Sequence, residues 1–283
     1  MQFGLSEEQI LLQDNVNRFL DDNTPLDRVR TYAEGGEDAD IWAGLTELGV
    51  PALLIPEEHG GIGLQPLDAA IVAESLGAHI APTPFLGSAV IAPTALIAAA
   101  GDHGDLLAAI AAGTHRVGIA FGEAVAARND AGIRVSDGLV NGTSMYAFDA
   151  EADSYLVADH NRHLYLVQAD DPGLTRTHLV TVDKTRRNVE LNYDNVAAQT
   201  ISTDPEVFAA ALDVGRLALA ADTLGAAQNM LDQAVEYAKQ REQFNRPIAS
   251  FQAVKHMCAE MAAQLEPCRS MACLLYTSPS PRD

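Results

Sequence analysis

The sequence predicts an α+β multidomain protein with an N-terminal α-helical domain, a small middle β-barrel or sandwich, and a C-terminal helical bundle that reads as truncated. Three observations predict it. Apolar residues recur at helical spacing up to about residue 113, short β-rich runs follow every ten residues or so, and an uninterrupted helical pattern returns after Pro205. The expected domains are therefore 1–113, 114–204 and 205–272.

In the first domain, Ser6 with Gln9 three residues on makes a capping-box pattern, and Leu12, Val16, Phe19 and Leu20 form one apolar stripe. "ADIWAGLTELGV" reads as a second helix, stopped by Gly49 and Pro51. The loop "IPEEHGGIGLQP" follows, and Pro66 stands where a third helix can start. "FLGSAVIAPTALIAAAG" and "DLLAAIAAG" complete the α part.

The middle domain carries "RVGIAFGEA", "GIRVSDGLV", "SYLVADH", "HLYLVQA", "LTRTHLVTV" and "RNVELNY", separated by Gly, Asn and Asp. Runs of that length and spacing predict a small antiparallel barrel or sandwich. In the third domain Leu217, Ala220, Leu224, Ala227, Leu231, Ala234 and Ala238 line one helix face. Beyond a break, Phe251, Val254, Cys258, Met261 and Leu265 line another, so two long helices pair in an antiparallel bundle. The last stretch, "CLLYTSPSPRD", resembles the translation of a common library adapter, and residues 273–283 are expected to be a foreign tail.

Composition narrows the functions. Apolar residues make up 48% and charged residues 20%, as in an ordinary folded protein. A formal charge of −21 argues against nucleic acid and anionic membrane surfaces as partners. It also makes each arginine informative. Three cysteines without paired spacing fit a reducing compartment, and a cytoplasmic protein without a secretion signal or membrane span is expected. "GGIGL" lacks the strand and third glycine of a dinucleotide loop and reads as a turn. "HNRH" reads as two solvated histidines on a hairpin, and no metal site is expected.

The break itself, "REQFNRPIASFQ", carries the chemistry. One reading is structural: Arg241 closes a helix C-terminus, Asn245 takes the left-handed position after it, and Pro247 restarts the helix. Yet Arg241 lies three residues past Ala238 and continues the apolar stripe, which points its guanidinium at an anion or a partner subunit.

"YAKQREQFNRPIASFQAVKHMCAEM" resembles the acyl-CoA dehydrogenase family motif, usually R-x-Q-F-G-x-P-I-x-x-x-Q, with Asn245 at the usual glycine. "IPEEHGGIGL" followed by "AAIVAESLGA" resembles the family too, as does the α, β, α order. The resemblance implies an acyl-CoA dehydrogenase-like fold, FAD as cofactor, and α,β-dehydrogenation of an acyl-CoA thioester. It implies an electron-transfer flavoprotein or similar acceptor as partner, and a homo- or hetero-oligomer. In the family this segment reaches the ADP half of FAD across a subunit interface. Carried over, Arg241 is a pyrophosphate ligand, and Gln243, Phe244, Phe251 and Gln252 contact the dinucleotide. Asp213 and Arg216 fall on positions that touch the CoA moiety; their plain alternative is an i,i+3 surface ion pair.

The acid/base residue is another matter. Most of the family keeps its glutamate further downstream; a minority places it where this chain has Gly215, so the catalytic residue is unknown and the fragment is expected to be inactive alone. The β domain departs from the usual Thr-Glu, Gly-Ser-Asp and Trp-Ile-Ser/Thr segments, reading "GIAFGEAVAARND" and "GTSMYAFDAEADSYLVAD". The second resembles a divergent branch that works as pairs of unlike subunits on bulky thioesters. The alternatives are a non-catalytic companion subunit, or a flavin monooxygenase or nitroalkane oxidase on the same scaffold.

Overall fold

The computed structural model describes residues 4–36, 39–126 and 132–277. Helix α1 (Glu7–Asn23) starts at the expected capping box: the Ser6 hydroxyl accepts the Gln9 amide N–H and the Gln9 side chain accepts that of Ser6. Val16 and Leu20 carry its buried face. Helix α2 (Leu26–Ala33), an element the sequence pattern does not announce, buries Val29 and Tyr32. Then come α3 (Ala39–Glu47), α4 (Pro66–Ala78), α5 (Ala92–Ala98) and α6 (Gly104–Ala111). The expected helix over "FLGSAVIAPTALIAAAG" begins as a π-helical segment, Phe85–Ile91, before α5 takes over. This widened stretch docks on the β domain. The Ser88 hydroxyl accepts the Val117 N–H at 2.9 Å, satisfying a backbone donor at the start of the first strand.

The β part contains β1 (Val117–Ala120), a short helix α7 (Gly122–Val125), β2 (Gly132–Ser136), β3 (Leu139–Ala147), β4 (Ser154–Ala158), β5 (Leu164–Gln168), β6 (Leu174–His178) and β7 (Val189–Ser202). Strand order is β1-β4-β5-β7-β3-β2, with β6 also on β7. The fourteen-residue β7 is the hinge of the design. Its first half pairs with β3 and β6 and its second half with β5, so one strand serves two sheets. A bridge between Ile119 and Phe148 returns β3 to β1 and closes the ring. The expected all-antiparallel pairing fails at one place: β1 and β4 are parallel, because the chain leaves β1 through α7 and the β2–β3 hairpin before β4. Inside, Tyr155, Val157, Val167, Leu191 and Val196 form the β core.

After Pro205 the chain forms α8 (Pro205–Gln240), a hairpin of β8 (Glu242–Gln243) and β9 (Arg246–Pro247), and α9 (Gln252–Thr277). The expected stripe on α8 needs correction. Leu217, Leu224, Leu231 and Ala238 are buried as expected, but Ala220 and Ala234 are exposed, and Ala218, Ala221 and Gly225 take the buried places. Helix α9 continues through Thr277, past the expected end of the natural sequence at 272; residues 278–283 of the expected tail lie outside the described residues.

The chain forms two compact units: Met1–Pro25, Ala70–Ala81 and Leu217–Asp283 in one, Leu26–Ala69 and Pro82–Arg216 in the other. Helices α4 and α8 each contribute to both units. In the first unit Gly77 lies against the Asp222 backbone and Gly225 against that of Glu74, so α4 and α8 cross with almost no side chain between them. In the second, the α5, α6 and π-helical segments share one apolar cluster with β1, β4, β5 and the start of α8, including Leu156, Leu166 and Phe208.

Candidate functional site

The break between α8 and α9 is a β-hairpin rather than a helix kink. Helix α8 runs out at Gln240. The Arg241 N–H still donates to the Tyr237 carbonyl at 2.8 Å, while the Arg241 carbonyl accepts the Ile248 N–H at 2.8 Å. Two residues pair on each side, Glu242 with Pro247 and Gln243 with Arg246. The turn between them holds Phe244 at φ 53° and Asn245 at φ 59°. Two successive positive φ values are the requirement of a type I′ turn. Asn245 is thus left-handed as expected, but in a β-turn and not after the helix. Phe244 is left-handed too, and a bulky residue there stores strain.

The hairpin sets the expected dinucleotide residues side by side and outward. Arg241, Gln243 and Gln252 are exposed, and Phe244 is 87% exposed. The Phe244 ring stands edge-on to Phe251 with centroids 6.0 Å apart, and Phe251 is half-buried beneath it. Gln252 is the first residue of α9, where unpaired backbone N–H groups favour anions. Sequence reasoning missed Arg246, whose guanidinium covers the Phe251 ring at 4.2 Å and adds a second cation to the hairpin. Its signal was available: in a two-residue hairpin, Arg246 pairs with Gln243.

This donor set fits a pyrophosphate-bearing dinucleotide. It offers exposed guanidinium, side-chain amide and helix N-terminus with an aromatic edge beside them, and one exposed carboxylate, Glu242, on the same hairpin. The other expected ligands sit on the second unit. Asp213 and Arg216 form an exposed ion pair at 3.2 Å, the plain arrangement their spacing allowed. Between them Gly215 is buried, and a Cβ there would approach the Ile91 side chain to 2.7 Å. A carboxylate cannot be added at 215 without displacing Ile91.

The β domain carries its own polar group. Glu123 is 5% exposed at the start of α7 and accepts the Met145 N–H at 3.0 Å. The next residue, Tyr146, stands at φ 57° where β3 shifts register against β7, and its side chain is 58% exposed. Behind it Tyr193 donates to the Ser144 hydroxyl at 3.3 Å, and burial pushes the Tyr193 hydroxyl far above its ordinary pKa. Residues 127–131 of the "GIAFGEAVAARND" stretch lie outside the described residues. "HNRH" at 160–163 forms the β4–β5 turn, where Asp159 accepts the Asn161 and His163 N–H groups; no group of possible metal ligands occurs among the described residues.

A helical part, a β barrel with a shared long strand, and a helical pair joined by a cation-bearing turn define the acyl-CoA dehydrogenase-like architecture. Residues 6–105 match the acyl-CoA dehydrogenase N-terminal domain and residues 206–276 the C-terminal domain. Acyl-CoA dehydrogenase IpdE2 of Mycobacterium tuberculosis is 32% identical over 97% of this chain and 77% of its own length. Among solved structures, a Tcur3481–Tcur3483 steroid acyl-CoA dehydrogenase variant superposes with a TM-score of 0.85 at 29% identity, covering 97% of this chain and 79% of that one. The ChsE4–ChsE5 complex of Mycobacterium tuberculosis gives 0.84 at 25% identity, covering 97% and 79%. The chain belongs to the acyl-CoA dehydrogenase family, a family of flavoproteins. Among the described residues, no helix is long and apolar enough to cross a membrane.

Proposed function

We propose that the chain is a subunit of an FAD-dependent acyl-CoA dehydrogenase assembled from unlike subunits, and that its α8–α9 hairpin holds the ADP half of FAD. The observation that carries the reading is the hairpin itself. It exposes Arg241, Gln243, Phe244 and Gln252 together and spends conformational strain to do so. Arg241 takes the pyrophosphate, and the Phe244 and Phe251 rings line the adenosine side. Asp213 and Arg216 are then the contacts to CoA. When bound, FAD supplies a hydride acceptor for the β-carbon of the thioester, and the electrons pass on to an electron-transfer flavoprotein or similar acceptor.

The residues of this chain bind and orient; none of them is assigned the α-proton. Gly215 supports that division, because it carries no carboxylate and a Cβ there would require the Ile91 side chain to shift. In the companion-subunit reading a partner chain provides the carboxylate. The pairwise assemblies named for the steroid dehydrogenase variant and the ChsE4–ChsE5 complex support a two-chain assembly and a bulky acyl group.

The test uses the assembled complex. Arg241→Ala is expected to lower flavin content after purification and to weaken FAD by about tenfold or more, in the range of one lost charge-assisted contact. Unchanged flavin content and affinity would remove Arg241 from the site. Anaerobic bleaching of the bound flavin by an acyl-CoA supports dehydrogenation, whereas a flavin reduced only in other ways points to monooxygenase or nitroalkane chemistry.

A further inference from the structure

The α8–α9 hairpin holds a shape that its own backbone supports poorly. Phe244 and Asn245 both take positive φ, the ladder is two residues long on each side, and Pro247 brings no N–H to it. A two-stranded ribbon that short is not stable by itself in water. The bond from the Ile248 N–H to the Arg241 carbonyl closes its open end at 2.8 Å. The Gln243 side-chain amide donates to the neighbouring Glu242 carbonyl at 2.8 Å, which stays within one strand and adds nothing across the turn.

Arg246 supplies a tie from the turn to the helix behind it. Its side chain is exposed and, among the described residues, has no ion pair or hydrogen bond; its guanidinium stands 4.2 Å from the Phe251 ring centroid. In a chain with 39 acidic residues against 18 basic ones, this arginine is matched to a ring and not to a carboxylate. Phe251 is the pivot of the segment. It closes the 3-10 turn Ile248–Ser250 by donating to the Ile248 carbonyl at 3.0 Å, and its own carbonyl accepts the Lys255 N–H at 3.2 Å as α9 begins. The same ring meets Phe244 at the tip of the turn. Turn, ring and helix start are therefore joined through one side chain, and Arg246 is the cation that covers it.

We infer that Arg246 is a positioning residue: through Phe251 it fixes the strained turn onto the start of α9 and so holds Arg241, Gln243 and Gln252 in one orientation for the dinucleotide. The inference rests on the assignment of the hairpin to FAD. Arg246 acts here through the ring and is not a further phosphate ligand, and a double-mutant cycle separates those two roles. FAD is titrated into the flavin-depleted assembled complex. Arg246→Ala is expected to weaken FAD by about fivefold, the upper figure for an exposed cation–π contact. In a Phe251→Leu background, which has no ring to cover, the same substitution should change the affinity less than about twofold. The second readout needs no flavin. Hydrogen exchange at the Ile248 amide, which closes the hairpin, should quicken several-fold in Arg246→Ala. Equal loss of FAD affinity in both backgrounds overturns the inference, because Arg246 would then touch the ligand directly. Unchanged exchange at Ile248 overturns it as well. If Arg241→Ala leaves FAD affinity intact, the cofactor assignment of the hairpin fails, and the exchange at Ile248 still decides whether Arg246 holds the turn.

Discussion

At the scale of single residues, the sharpest constraints come from places where a side chain is missing. Gly225 packs so close to Glu74 that an added Cβ would overlap the Glu74 carbonyl oxygen, and backbone cannot yield as a side-chain tip can. Gly225→Ala raises helix propensity slightly, yet it should destabilise the protein by roughly 2–3 kcal/mol, the cost of overpacking a tight contact. A lower urea midpoint with an unchanged m-value is the expected result. An unchanged or higher midpoint would mean that α4 and α8 are not held at this distance. Gly215 makes the same point for chemistry. Its identity was legible in the sequence as a missing carboxylate, but the reason, Ile91 across the gap, needed three dimensions. Phe244 is the reverse case, a bulky side chain at a φ that favours glycine, where the resemblance implied only a dinucleotide contact.

At the scale of elements, α9 is tied to its unit by one polar cluster. The Arg269 guanidinium donates to Glu74 on α4 at 3.1 Å, to Gln228 on α8 at 3.3 Å and to Glu266 on α9 itself at 2.9 Å. Arg269 and Glu74 are both partly buried, so the pair exceeds a surface ion pair but is still screened by solvent. Arg269→Ala should cost about 1–2 kcal/mol and loosen α9 first, since it strands the Glu74 carboxylate. Faster proteolysis within residues 252–277, together with a lowered urea midpoint, is expected; an α9 that resists protease as well as before would show that apolar contacts alone hold it. Most elements were legible because each announces its period: the α1 capping box, the start of α4 at Pro66, and the β runs all appear where the pattern placed them. What failed has a common cause. The α2 helix, the exposure of Ala220 and Ala234, the parallel β1–β4 pair and the two-sheet role of β7 depend on which face meets which neighbour, and local periodicity does not encode that. The hairpin residues were named from their resemblance to the family motif, but their arrangement followed from two positive φ angles that no propensity assigns to phenylalanine.

For the molecule as a whole, charge is the property the sequence states outright and the structure explains least locally. Acidic residues number 39 against 18 basic ones, and most ion pairs among the described residues are exposed i,i+3 contacts or histidine pairs of small worth. Two effects of salt then oppose each other. Screening weakens those few attractive pairs, and it also relieves repulsion among the unpaired carboxylates, which act over a Debye length of about 10 Å at 0.1 M. With acids in twofold excess the repulsive term is expected to be the larger. Raising sodium chloride from about 10 mM to about 300 mM should therefore raise the melting temperature at neutral pH, by a few degrees if the relief is near 1 kcal/mol. Sodium chloride is the suitable salt, since sulfate would strengthen apolar burial and confound the reading. The rise should shrink as pH falls toward 4.5, where the sequence places the isoelectric point and the repulsion disappears. A melting temperature that falls with salt at pH 7, or rises equally at both pH values, would mean that specific ion pairs outweigh the net charge.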